Sequence, residues 1–245
     1  MLQLSCHSKE NINCSGETNG RFIDKIEVFG DNTRQTVSAY IYNSNKQLDT
    51  VKGILNSFQF NTFSYDAQNR MVENVTFTTY NNVLNKVKID SFDYNTKGQI
   101  VKLRSYYKDN GANFSLNYSY TFQYDNQNQL EKSIYTFNSG NTYIQIYEWE
   151  NGNITKISHY DGKGSLTTEW FYKYDNEKNY YDKLPFDGYH ILTRNNIIEA
   201  FAKDYVGNLD LIANPAIYQY CYNEQGFPIK IKANYGQTTA ISYKN

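Results

Sequence analysis

Asn117-Tyr118-Ser119-Tyr120-Thr121-Phe122-Gln123-Tyr124-Asp125-Asn126-Gln127-Asn128-Gln129-Leu130 joins an alternating aromatic stretch to a polar turn and an aliphatic residue. Its aromatics fall on every second residue, so Tyr118, Tyr120, Phe122 and Tyr124 share one face of a strand and the polar residues share the other. Asp125 can accept bonds from its own backbone two residues on, and Asn128 tolerates positive φ, so the chain reverses there. Leu130 then opens a returning strand, and the unit is a β-hairpin. The same spacing recurs at Tyr42-Asn43 through Leu48, Tyr65-Asp66 through Met71 and Tyr94-Asn95 through Ile100. Variants follow at Trp149-Glu150-Asn151-Gly152-Asn153-Ile154 and at Tyr222-Asn223-Glu224-Gln225-Gly226-Phe227-Pro228-Ile229, and Tyr174-Asp175-Asn176-Glu177 starts another before diverging. A period of 23–30 residues between successive units corresponds to two strands and two turns.

Tyr-Asp turns at this period resemble the YD repeats of Rhs-type proteins. The order of features is similar to that of small YD-repeat envelope lipoproteins of Bacteroidetes type. The C-terminal succession Leu184-Pro185, Leu192-Thr193-Arg194-Asn195-Asn196 and Gly226-Phe227-Pro228-Ile229-Lys230 carries the resemblance further. It implies a fold and an envelope location, and no reaction.

The repeats predict an all-β protein: a strongly curved antiparallel meander of hairpins, about 14–16 strands, forming a half-pipe or a wide barrel-like sheet, because an open twisted sheet rarely exceeds about ten strands. Aromatic ladders on one face stabilise it collectively, since one hairpin cannot bury its face alone. Residues 183–215 break the rhythm, and Asn195-Asn196-Ile197-Ile198-Glu199-Ala200-Phe201-Ala202 reads as a short Asn-capped helix or a loop insertion. Lys102, Lys132 and Lys156, early in returning strands, read as solvated positions. Residues 21–245 form a single domain in this reading, preceded by a flexible N-terminal tether over 1–20.

Composition narrows the function classes. The 245 residues carry 24 Lys+Arg against 25 Asp+Glu, a net charge of −1, which leaves no basic excess for a nucleic acid partner. Mean hydropathy is −0.72, and no apolar run is long enough for a spanning helix. The 25 Tyr, 14 Phe and 2 Trp give 17% aromatics, which suits pleated sheet.

Cys6, preceded by Leu2-Gln3-Leu4-Ser5, resembles the end of a truncated bacterial lipoprotein signal, and the small polar residues to Gly20 suit a tether between lipid and domain. Cys6 is therefore the candidate lipid-attachment residue of an outer-membrane or surface lipoprotein. Cys14 and Cys221 are expected to stay unpaired. His7, His159 and His190 are scattered and there is no CxxC pair, so neither a metal site nor any cofactor is expected.

No catalytic motif is present: there is no G-x-S-x-G, no Walker A and no H-E-x-x-H. Glu148 with Glu150, and Asp175 with Glu177, are spaced to share a strand face, which could serve a carbohydrate-active hydrolase or a Ca²⁺ site. Each pair reads better as a solvated face or a turn, and His159 reads as a packed histidine. The aromatic surplus is what points to function, since tyrosine and tryptophan faces bind sugars or peptide strands. Trp149 and Trp170 are the candidate ligand platforms. The expectation is a non-catalytic envelope lipoprotein, a binding or scaffolding module for a glycan or another envelope protein. The alternative is a relative of an Rhs-type toxin shell that encloses a partner polypeptide.

Overall fold

The computed structural model describes residues 14, 20, 22–30, 33–55, 59–80, 83–109, 113–179, 193–205, 211–212 and 214–245. Seventeen strands run through them: β1 (Phe22–Gly30), β2 (Thr33–Tyr42), β3 (Leu48–Leu55), β4 (Gln59–Tyr65), β5 (Met71–Tyr80), β6 (Val83–Tyr94), β7 (Ile100–Lys108), β8 (Phe114–Tyr124) and β9 (Leu130–Phe137). Then come β10 (Thr142–Glu150), β11 (Asn153–Tyr160), β12 (Leu166–Lys178), β13 (Asn195–Asp204), β14 (Leu211–Ile212), β15 (Ala216–Tyr222), β16 (Pro228–Ala233) and β17 (Gln237–Lys244). Each pairs antiparallel with its sequence neighbour, and the two-residue β14 shares the edge of β13 with β15. β1 pairs with both β2 and β17, through Ile26↔Ser38 and Ile26↔Ile241, so the meander closes into a barrel. Closure leaves neither the first nor the last strand as a free sheet edge.

The turns are built as the repeat predicts. Asp125 Oδ1 accepts from the amides of Gln127 and Gln129, both at 2.8 Å, and Asn43, Asp66, Asn95 and Asn223 hold their turns in the same way. The fourth turn position is left-handed throughout: Lys46, Asn69, Gly98, Asn128 and Gly226 all have positive φ. After each turn the register shifts by one residue, as between Gln123 and Tyr124 against β9, which turns the last aromatic over its neighbour strand.

Registers separate two faces. Phe92, Leu103, Tyr120, Tyr135 and Tyr143 are successive partners across β6–β10 and define an aromatic face. Glu73, Ser91, Arg104, Ser119 and Thr136 run across β5–β9 on the opposite face, where Arg104–Asp93, Lys156–Glu148 and Lys173–Glu199 form ion pairs. The main core lies on the aromatic face and joins Met71, Phe92, Leu103, Phe122, Leu130, Tyr147 and Ile154. A smaller cluster of Ile23, Phe227, Ile241 and Tyr243 lies at the β1–β17 closure.

Two expectations are corrected. No helix occurs among the described residues: 195–204 is β13, paired with β12 from Thr168↔Asp204 to Lys178↔Asn195. The asparagines that suggested a helix cap instead bind across the sheet, Asn195 N to Asn153 Oδ1 at 2.9 Å and Asn196 N to Asp175 Oδ1 at 3.1 Å. Ala200 and Ala202 are small because they face Tyr172 and Trp170 across the ladder. Cys14 and Cys221 form a disulfide, with Cα atoms 5.4 Å apart across a sequence separation of 207. Cys221 is almost fully buried. Gly20 lies close against the end of β17, since a Cβ there would stand 2.6 Å from the Lys244 backbone.

Candidate functional site

The aromatic face has three zones. At the turn end six closing aromatics donate to a carbonyl at the start of the preceding strand, while Tyr222 donates to Asp175 instead. Tyr65 OH reaches Leu48 O at 2.8 Å, Tyr94 reaches Met71 O at 2.6 Å, Tyr124 reaches Ile100 O at 2.8 Å and Tyr174 reaches Ile154 O at 2.5 Å. Trp149 Nε1 takes the same role on Leu130 O at 2.8 Å, and Tyr243 OH on Pro228 O at 2.8 Å. Burial of these rings pushes the Tyr65 and Tyr124 phenols up to about 12. This zone is a structural ladder.

A polar belt follows midway along the strands. Asn61 Nδ2 donates to Asn74 Oδ1 at 3.0 Å and to Thr76 Oγ1 at 2.9 Å, and Asn74 Nδ2 reaches Asp90 Oδ2 at 3.4 Å. Asp90 is buried and pairs with Lys88 at 2.9 Å; its other oxygen and the facing Ser105 Oγ are buried without a hydrogen-bond partner. Further round, Tyr147 OH and Ser133 Oγ both donate to Gln145 Oε1, at 2.8 and 2.9 Å, and Gln145 Nε2 lies 3.4 Å from His159 Nδ1. Burial holds the His159 imidazole below its ordinary value, so it is neutral at physiological pH.

The third zone is a row of rings towards the opposite rim. Tyr107–Tyr118 lie 6.4 Å apart, Tyr118–Tyr135 5.2 Å and Tyr135–Tyr143 6.5 Å, with Phe137 edge-on 5.9 Å from Tyr143. Tyr107 and Tyr143, its two ends, are 41% and 47% exposed. Lys88 Nζ sits over Tyr107 and Tyr118 at 5.7 and 5.8 Å.

The residues singled out in the sequence divide. Trp149 is half-buried and its indole N–H is committed, so it is a rung of the ladder and not an exposed platform. Trp170 is 39% exposed on the aromatic face, facing Ile157 and Ala202. The two tryptophans are two strands apart and offset along β11, at Ile154 and Ile157, and form no joint surface. Glu148 is held by Lys156 at 2.5 Å while Glu150 is exposed at the turn. Asp175 accepts from Tyr222 OH and from the Asn196 and Glu177 amides, which makes it a fold-holding carboxylate. Among the described residues no group of three His, Cys, Asp or Glu is placed to hold a metal. Cys6 lies outside the described residues. The Tyr107–Tyr143 row and the Lys88–Asp90 pair were not singled out. Strand parity was their available signal, since Lys88, Asp90, Phe92 and Tyr94 alternate on one face.

Neither the protein-family models nor the curated proteins include a match to this sequence. Among solved structures, the chain is similar to a porin-like protein from Bacteroides uniformis, with a TM-score of 0.53 at 16% identity over 90% of this chain and 96% of that one. A second porin-like protein, from Bacteroides vulgatus, gives a TM-score of 0.45 at 12% identity over 93% and 99% of the two chains. At 16% identity the first likeness establishes the fold, an all-β antiparallel closed barrel.

Proposed function

We propose that this protein is a non-catalytic binding module of the cell envelope, a YD-type barrel whose aromatic face lines its interior and holds a ligand there. The observation that carries this reading is the polar belt. A lipid-facing barrel wall must be apolar over a band about 25 Å tall, and midway along the strands the aromatic face instead places Asn61, Asn74, Lys88, Asp90, Gln145 and His159. The opposite face carries ion pairs such as Arg104–Asp93 and Lys173–Glu199, which suit contact with water. On that face the ion pairs lie towards the turn ends, and the apolar Ile134, Ile144, Phe171 and Phe201 between them are read as a partly water-facing wall. A ring of this many strands leaves an interior wider than side chains alone fill. Ser105 and Ser133, small and fully buried on the aromatic face, are what crowding on a concave wall produces.

The Cys6 context and the porin-like description of the Bacteroides uniformis neighbour support an envelope location, with Cys6 as the lipid-attachment residue. The testing experiment is detergent-free purification followed by a liposome leakage assay. With the anchor removed by Cys6→Ser, the barrel is expected to stay in solution without detergent and to release no entrapped dye. Detergent-dependent solubility with dye release would replace it with a membrane pore.

A further inference from the structure

We infer that the ligand is an uncharged oligosaccharide, seated across β7–β10 on the row Tyr107, Tyr118, Tyr135 and Tyr143. This inference rests on the binding-module reading and adds the place and the chemical class.

Closure of the ring decides first against a peptide strand. A bound strand gains its affinity from an unpaired sheet edge, and here β1 is occupied on both sides by β2 and β17. The terminal strands therefore offer no docking edge, and the ligand is held by side chains. Among those, this row is an open part of the aromatic face formed by several neighbouring rings, with Tyr107 and Tyr143 each more than two-fifths exposed, whereas the exposed Trp170 faces Ile157 and Ala202. The ladder rings at the turn end are half-buried and their donors already engaged. The spacing between neighbouring rings, 5.2–6.5 Å, makes the row a continuous apolar track with phenolic hydroxyls along it. Such amphipathic rings suit a ligand that alternates C–H faces with hydroxyls.

Charge sets the class. Beside this row the charged side chains on the aromatic face are Lys88 and Asp90, and they neutralise one another at 2.9 Å. The Lys88 ammonium is further enclosed by the Tyr107 and Tyr118 rings. Gln145 and His159, the polar groups nearest Tyr143 along β10 and β11, are neutral, the imidazole because burial lowers its affinity for a proton. A ligand bearing a carboxylate, sulfate or phosphate would meet no unpaired cation here among the described residues.

The test is isothermal titration of the full chain with a panel of neutral hexasaccharides and with a galacturonate hexamer. Tyr143→Ala, Tyr107→Ala and Trp170→Ala are compared with wild type, since all three side chains are partly exposed and tolerate truncation. The expected result is binding of a neutral hexasaccharide, insensitive to salt and weakened at least tenfold by Tyr143→Ala or Tyr107→Ala but not by Trp170→Ala. Salt-sensitive binding of the galacturonate alone, or neutral binding lost only in Trp170→Ala, would overturn this inference and leave the binding module standing. No binding of any probe would overturn both.

Discussion

The hydroxyl of Tyr94 donates to the carbonyl of Met71 at 2.6 Å, joining the end of β6 to the start of β5. The Tyr65–Leu48, Tyr124–Ile100 and Tyr174–Ile154 bonds repeat it around the ring, so the repeat motif is a device for locking each hairpin to the one before. Tyr94→Phe keeps the ring and removes the donor, leaving a carbonyl without that partner. We expect a loss of about 0.5–1.5 kcal/mol, read as a lower urea midpoint with an unchanged slope.

The same ladder makes stability fall in alkali. An unfolded tyrosine ionises near pH 10, whereas burial pushes Tyr124 to about 12. Between those values the unfolded chain releases a proton that the folded chain retains, so stability declines as pH rises from about 10 to 12. Tyr124→Phe should flatten part of that decline. Urea titrations at stepped pH, with tyrosinate absorbance followed in parallel, measure it.

His159 acts at the acid end. Its folded-state affinity for a proton is lowered by burial, so below about pH 6.5 the unfolded chain takes up a proton that the folded chain resists. Stability conferred above that pH is lost as pH falls through the lowered value. His159→Gln should remove this contribution to the acid slope, checked by melting temperature between pH 7 and pH 5.

Turn chemistry gives a prediction of opposite signs at equivalent positions. Gly98 has φ +79 and open space where a Cβ would stand, so Gly98→Ala suffers backbone strain alone, about 1 kcal/mol. Lys46 occupies the same turn position at φ 63, so Lys46→Gly should be stabilising or neutral. Thermal melts of the two variants check it.

The Cys14–Cys221 disulfide closes almost the whole chain into a loop. In the chain-entropy account a loop of this length stabilises by about 5 kcal/mol. Reduction, or Cys14→Ser at the exposed partner, should lower the urea midpoint strongly, and reduction should then have no further effect on the variant.

Much of this architecture was legible in the sequence because it is local. Period-two aromatics such as Tyr118, Tyr120 and Phe122 define strands, and Asp125 with Asn128 defines a turn. Closure was not legible, because it depends on β1 meeting β17 across the whole chain, a long-range pairing with no local mark. The Cys14–Cys221 bond was hidden for the same reason. At Asn195–Ala202 a local capping signal was overridden by the ladder that β12 offers. On the candidate site, tryptophan identity misled for Trp149, whose N–H serves the ladder, whereas the Tyr107–Tyr143 row emerges once four strands are aligned in register.

If the aromatic face is the inside of the barrel, a reagent too large to enter the ring reaches only the opposite face. Thr121→Cys on the charged face and Tyr143→Cys on the aromatic face, each in a Cys6→Ser background, are to be reacted with a small maleimide and with a maleimide carrying a polymer too large to enter the ring. Both reagents should modify Thr121→Cys, and only the small one should modify Tyr143→Cys. Polymer labelling of Tyr143→Cys with protection of Thr121→Cys would contradict the account and turn the barrel inside out.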